Sequence, residues 1–181
     1  MTSNCIIGLD VSTSCTGICI LNEYKLPVYL DALDLSKCTS FIDKCSKLQQ
    51  TLCELKVQFN VSQIFIEQDL QSFRPGLSSA HTLNTLSRFN GAVSLMCFQV
   101  FNVRPVLLNV TNARAAVGIK INYKDKSKKT KEKVWDWVSS QVQMDWPKKK
   151  TGSLKSSAFD MSDSYVIALA GILDCKEGQI C

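Results

Sequence analysis

The chain has 181 residues, of which 45% are hydrophobic and 20% charged, a balance that suits one globular domain over residues 1–181 and excludes a low-complexity polymer. No apolar run approaches the ~20 residues that span a bilayer, and the N-terminus MTSNCIIGLDVS has neither the basic start nor the long apolar stretch of a secretory signal. The net charge of +5 is uneven: residues 104–155 hold 13 basic and 4 acidic side chains, a local +9, and the remainder holds 8 basic and 12 acidic, a local −4. Such asymmetry suits a surface for an anionic polymer beside a site for cations.

Residues 5–11, CIIGLDV, are a short β-branched apolar run and predict a buried strand; 17–22, GICILN, and 27–33, PVYLDAL, predict two more, in an antiparallel meander. The period changes over 39–59, where Phe41, Ile42, Cys45, Leu48, Leu52, Leu55, Val57 and Phe59 recur at helical spacing behind Ser40 as a candidate N-cap. Residues 61–68, VSQIFIEQ, return to a strand, so the helix is a crossover and the new strand pairs in parallel. A polar loop, 69–76, precedes a helix over about 78–101 that is apolar on more than one face. A core helix and a helix shared with a second subunit both fit that pattern. Residues 103–110 predict a further strand and TNARAAVG a short helix. A basic loop, 119–133, leads into the helix KEKVWDWVSSQV; a second basic, flexible loop is expected at 147–157; a last helix is expected over 158–173. Together these elements predict a three-layer α/β domain with a mixed five-stranded sheet flanked by helices.

Nine cysteines stand at 5, 15, 19, 38, 45, 53, 97, 175 and 181, with no CxxC spacing, and the only histidine is His81. A zinc site is therefore not expected. Small core thiols in a reducing, intracellular compartment explain most of them.

The acids carry the chemistry. Asp10 lies within the most hydrophobic strand, and Glu67 ends the run IFIE; a buried carboxylate is costly unless paired or metal-bound, and sites in open α/β sheets gather at the carboxyl ends of strands. Asp160 and Asp163 stand three apart on the last helix and so share a side of it. Four carboxylates from three elements suit two Mg²⁺ ions, with Mn²⁺ as a substitute. Ions about 3.5–4 Å apart would activate water and stabilise the leaving oxygen in hydrolysis of a phosphodiester. Milder readings exist for each acid. Glu67 could pair with Arg74 or Arg88, Asp160 could complement the helix dipole, Asp163 could be solvated, and Asp69 could replace one of them as a ligand.

The ordered set IIGLDVSTSCTGICIL, IFIEQ and FDMSDSYVIAL resembles the RuvC-like Holliday junction resolvases of the ribonuclease H-like superfamily, over nearly the whole chain. The resemblance implies a ribonuclease H-like fold, metal ligation by Asp10, Glu67, Asp160 and Asp163, and basic residues near the cleaved strand, here Arg114 and Lys131, the latter grouped with the catalytic residues. The family's aromatic wedge after the strand-four acid is displaced in this chain, where Phe73 and Arg74 are the nearest candidates for DNA contact. The lysine-rich loop 119–131 resembles virus- or phage-encoded members more than the cellular enzyme, which implies a location in the cytoplasm or at the site of viral or phage DNA replication.

Lys120, Lys124, Lys126, Lys128, Lys129 and Lys131, with Lys133, form one basic cluster, and Lys148, Lys149, Lys150 and Lys155 form another; phosphate contacts from such groups give affinity without reading sequence. Tyr123, within the first cluster, is a candidate for stacking on a base. The expected partner is branched DNA, a four-way junction. Its two-fold symmetry suits paired nicks by a homodimer, with helix 78–101 as the candidate interface. Neither a membrane nor a small-molecule cofactor is expected. A nuclease of the same fold acting on flaps, other branched DNA or RNA/DNA hybrids is the alternative; a non-catalytic DNA-binding module leaves the four acids unexplained. GLDVSTSCTG also resembles the first phosphate-binding turn of actin-like sugar kinases, but those need two such domains and a second glycine-rich loop, and the eight glycines here are not clustered.

Overall fold

The computed structural model describes residues 4–68, 79–122 and 124–176. Its centre is a five-stranded sheet in the order β3-β2-β1-β4-β5. Strands β1 (Asn4–Asp10), β2 (Cys15–Leu21) and β3 (Pro27–Asp34) form the expected antiparallel meander. Helix α1 (Phe41–Gln58) then crosses to β4 (Asn60–Glu67), which pairs in parallel with β1; β5 (Val106–Leu108) pairs in parallel with β4. The remaining helices are α2 (Ala80–Phe101), α3 (Val110–Ala116), α4 (Thr130–Gln141) and α5 (Ser157–Lys176).

Side-chain parity divides the molecule into layers, because neighbours on a strand face opposite ways. Ile7, Leu9, Ile18, Ile20, Ile64 and Ile66 face one way and pack with Leu48, Leu52 and Leu55 of α1 and Phe89, Val93 and Phe101 of α2. Cys19, Leu21 and Phe65 face the other way and pack with Val134 and Val138 of α4 and Ala158, Met161, Val166 and Ala170 of α5. Asp10, Cys15, Gly17 and Glu67 share the parity of this second face. The fold is thus the expected three-layer α/β arrangement with its mixed sheet.

Helix starts follow local chemistry. Ser40 caps α1 reciprocally with Asp43, whose amide donates to the Ser40 hydroxyl at 3.0 Å while its carboxylate accepts the Ser40 amide at 3.1 Å. Ser79 caps α2, accepting the Thr82 amide at 3.1 Å, and Asn102 ends it in the left-handed region at φ 56°. Among the described residues no helix is long and apolar enough to cross a membrane. Cys15, Cys19, Cys38, Cys45, Cys53 and Cys97 form no disulfide; Cys5, Cys19 and Cys97 are buried, as expected, but Cys53 is exposed.

Three expectations need correction. The strand expected over 103–110 shrinks to Val106–Leu108. Pro105 has no amide to donate, and Asn109 turns the chain by capping α3 with its side chain, accepting the Thr111 amide at 2.9 Å. The basic loop 119–133 is partly tied down, because Lys133 donates to the carbonyls of Asn122 (3.0 Å) and Asp125 (2.6 Å) and pairs with the Asp125 carboxylate at 2.8 Å. The segment 147–157 is not a plain flexible loop. It contains an antiparallel bridge between Lys148 and Leu154, with Gly152 in the turn at φ +84°, a conformation glycine adopts without strain.

Candidate metal and nucleic-acid site

Parallel pairing aligns β1 and β4 so that Leu9 lies beside Ile66, which brings Asp10 and Glu67 to the same carboxyl-terminal edge. Both side chains project to the α5 face. The β1–β2 turn beside them is held from three directions. Thr16 donates its hydroxyl to the Ser12 carbonyl at 3.1 Å, the Leu35 amide donates to the Ser14 carbonyl at 2.8 Å, and the Lys44 ammonium donates to the Thr13 carbonyl. At the other strand, the buried Asn90 of α2 donates its side-chain amide to the Glu67 carbonyl at 2.9 Å, and the Gln68 amide reaches the Leu108 carbonyl at 2.8 Å.

Helix α5 reaches this edge because two glycines let it. A Cβ on Gly17 would stand 2.0 Å from the Asp160 carbonyl oxygen, and one on Gly8 would stand 2.4 Å from the Ser164 carbonyl oxygen. The helix backbone therefore lies directly on β1 and β2, and its first two turns deliver Asp160 and Asp163 next to Asp10. Position in the first turn also favours the Asp160 carboxylate through the helix dipole.

The electrostatics confirm that the four acids sense one another. Burial raises the Asp10 carboxyl well above the ordinary range, and the charges of Glu67, Asp163 and Asp160 push it further. Glu67 is pushed up to about 7, mainly by burial and then by Asp163, with Arg114 opposing. The Asp10 and Glu67 carboxyls also act directly on each other, which raises the first and lowers the second. Burial also raises Asp163, against the pull of Arg114, and raises Asp160, against a hydrogen bond from Cys15 and the charge of Lys131. The Cys15 thiol is in turn pushed up to about 12 by burial and by Asp160. So many buried carboxyls at one point cannot all ionise unaided, and oxygen donors of this kind are the ones hard divalent cations take. Among the described residues no three acidic, thiol or imidazole groups converge as a ready-made cation cage. Asp163 is engaged by Arg114 and Asp160 by Cys15.

Arg114 comes from α3. Its guanidinium donates to Asp163 at 2.9 Å, with the two side chains 17% and 15% exposed, and its buried Nε has no partner among the described residues. Lys131, at the start of α4, is exposed and sits over the Phe159 ring at 4.7 Å. Its charge reaches both Asp160 and Asp163. Lys120, Lys124, Lys126, Lys128 and Lys129 are all exposed, but Lys128 already pairs with Asp136 at 2.6 Å. Arg88 lies over the Phe41 ring at 5.4 Å; among the described residues the cation that acts on Glu67 is Arg114, not Arg88. Asp69, Phe73, Arg74 and Tyr123 lie outside the described residues. Sequence reasoning missed Cys15, Gly8, Gly17 and Asn90. Asn90 had a signal, as an amide within the apolar run of α2; the glycines had one in sharing the sheet face of Asp10.

The sequence matches no family model and no curated protein. The fold matches that of solved RuvC structures. A Thermus thermophilus RuvC in complex with Holliday junction substrate superposes with a TM-score of 0.70 at 14% identity, covering 96% of each chain. A second Thermus thermophilus RuvC structure gives 0.65 at 15% identity, again over 96% of each chain. At such identities the likeness is one of fold, and it extends over almost the whole length of both proteins.

Proposed function

We propose that this chain is a divalent-cation-dependent endonuclease that resolves four-way DNA junctions by paired, symmetric nicks. The observation that carries the reading is the gathering of Asp10, Glu67, Asp160 and Asp163 at one sheet edge, beside a segment with a local charge of +9. The shared fold with a RuvC bound to Holliday junction substrate supports the choice of junction over other nucleic acids.

In this reading the four carboxylates hold two Mg²⁺ ions, or Mn²⁺ in their place. Bound there, such ions would supply Lewis acidity toward the scissile phosphate and a water ionised at neutral pH. The chain's own residues set the conditions. Asp10 and Glu67 would hold cations in their deprotonated forms, so binding there would favour ionisation of carboxyls that burial keeps raised. Arg114 holds Asp163 and offsets part of the negative charge. Lys131, 4.7 Å above the Phe159 ring centre, stands where it can meet a phosphate oxygen near Asp160. Lys120, Lys124, Lys126, Lys128 and Lys129, with Arg114, bind the DNA backbone, and Phe73 and Arg74, a few residues beyond Glu67 in sequence, contact the DNA. The whole chain acts as a single domain, and its lysine-rich loop fits the virus- or phage-type members.

Two sites per junction imply a homodimer. Helix α2 supports this with Gly91, Leu95 and Phe98 along one stripe: no atom lies within 4 Å of a Cβ on Gly91, and Leu95 and Phe98 are 56% and 41% exposed. Incubation with Mg²⁺ and a synthetic four-way junction, a linear duplex and an RNA/DNA hybrid, followed by mapping of product ends, tests the reading. Symmetric nicks confined to the junction are expected; preferential cutting of the hybrid would favour the alternative nuclease.

A further inference from the structure

The hairpin around Lys148 and Leu154 is a built element. The Lys149 amide donates to the Ser153 carbonyl at 2.7 Å, the Gly152 amide to the Lys149 carbonyl at 2.9 Å, and the Lys155 amide to the Pro147 carbonyl at 2.9 Å. Trp146 is buried and Leu154 partly so, both in the core beneath α4 and α5, so the base of the hairpin is anchored. Its lysines are exposed. Among the described residues neither Lys149 nor Lys155 has an ion-pair partner.

Two grooves flank this hairpin. One, of about 550 Å³, runs between α4 and the hairpin and is lined by Lys128, Lys129, Lys131, Trp135, Lys149 and Phe159. The other, of about 520 Å³, runs between the hairpin and the β1–β2 turn and is lined by Ser14, Cys15, Lys149, Lys155, Ser156 and Asp160. Lys149 lines both, and the grooves meet at the start of α5, where Phe159 faces one and Asp160 the other. Among the described residues Asp136 is the wall acid held in an ion pair, with Lys128; Glu132 accepts the Lys129 amide at 2.7 Å and Asp34 the Ser36 amide at 2.8 Å, and Asp160 belongs to the acid cluster. The first groove therefore keeps an excess of positive charge from Lys129, Lys131 and Lys149, and the second sets Lys149 and Lys155 against Asp34 and Asp160.

We propose that this hairpin is a phosphate strap. The backbone of the nucleic-acid strand being cut runs from one groove to the other over Asp160. Lys149 contacts the phosphate at the crossing. Lys155, with the hydroxyls of Ser156 and Ser14, takes the next phosphate in the second groove. The occupant is a phosphodiester chain because the walls offer lysines and hydroxyls in a line. Only a polyanion of regular charge spacing meets both grooves at once. The path deepens the nuclease reading by assigning the strand its course past the acids.

Binding of a synthetic four-way DNA junction, measured in EDTA across a salt series, tests the strap without any cutting. Each lost phosphate contact lowers the slope of log affinity against log salt by about 1. The Lys149→Ala/Lys155→Ala variant should therefore show a slope smaller by about 2, and the Lys149→Arg/Lys155→Arg variant should keep the wild-type slope. Gly152→Val retains every lysine but strains the turn at φ +84°; it should weaken binding several-fold. Lys25→Ala, in the distant β2–β3 turn, should change nothing. A wild-type slope in the double alanine variant, or an equal fall with Lys25→Ala, overturns the proposal. Because the readout is binding alone, the strap can fail while acid variants still abolish cutting, and it can stand if they do not.

Discussion

Gly17 lies directly beneath the backbone of Asp160, so closely that a Cβ there would stand 2.0 Å from the Asp160 carbonyl oxygen. One hydrogen in place of a methyl on β2 thus sets how near α5 comes to Asp10. Gly17→Ala should lift the first turn of α5 from the sheet. Overpacking of this kind costs about 1–3 kcal/mol. Thermal melts should register that cost, and junction cutting should fall further than stability does, because Asp160 and Asp163 move away from Asp10 together.

The acid cluster should make the cation-free protein sensitive to alkali. Folding raises Glu67 from 4.5 to about 7, and it raises Asp10 in the same direction. A group with a raised folded-state pKa binds its proton more tightly in the native chain than in the unfolded one. Its contribution is complete below the unfolded value and is lost as pH rises through the folded value. Urea unfolding in EDTA should therefore show stability declining between about pH 5 and 8, by about 3 kcal/mol for a shift of this size. Glu67→Gln should flatten the profile. Mg²⁺ should restore stability at the alkaline end, since a ligand of the native state adds its binding free energy.

Arg114 and Asp163 form the ion pair nearest the acids, at 2.9 Å with both side chains largely covered. Removing one partner of such a pair leaves the other charge uncompensated. Arg114→Gln should cost about 2 kcal/mol, and Arg114→Gln/Asp163→Asn should cost less than the single change. A double-mutant cycle of unfolding free energies measures that coupling. Additive costs would mean that the pair contributes nothing.

How much of this was legible beforehand follows from what kind of information each feature needs. Asp10 and Glu67 stand out because each carboxylate interrupts or ends a run such as CIIGL or IFI, and burial logic needs no partner to be named. The meander, the crossover through α1 and the pairing of β4 with β1 follow from local period. Contacts between distant elements do not. Nothing near Arg114 in sequence announces Asp163, 49 positions away, and nothing near Cys15 announces Asp160. The hairpin over 148–154 was also hidden, because its lysines and serines read as loop, whereas its shape depends on Gly152 at a positive φ and on the burial of Trp146. The lysines near 128 were legible as charge, yet Lys128 and Lys133 are partly spent on Asp136 and Asp125.

The dimer reading rests on the exposed stripe of α2. Replacing Leu95 and Phe98 with aspartate should leave the fold intact, because both side chains already face outward, while charge on an apolar contact opposes association. Sedimentation should show a dimer for the wild type and a monomer for the double variant. Cutting of four-way junctions should change from paired to single nicks.

The central claim is that the four acids cut and the basic segment binds. Cleavage and binding of one synthetic four-way junction, measured side by side for the wild type, Asp10→Asn and Glu67→Gln in Mg²⁺, test it most directly. Both variants should bind the junction as tightly as the wild type and lose at least a hundredfold in cutting rate, about 2.7 kcal/mol of transition-state stabilisation. Cutting at the wild-type rate by either variant would contradict it.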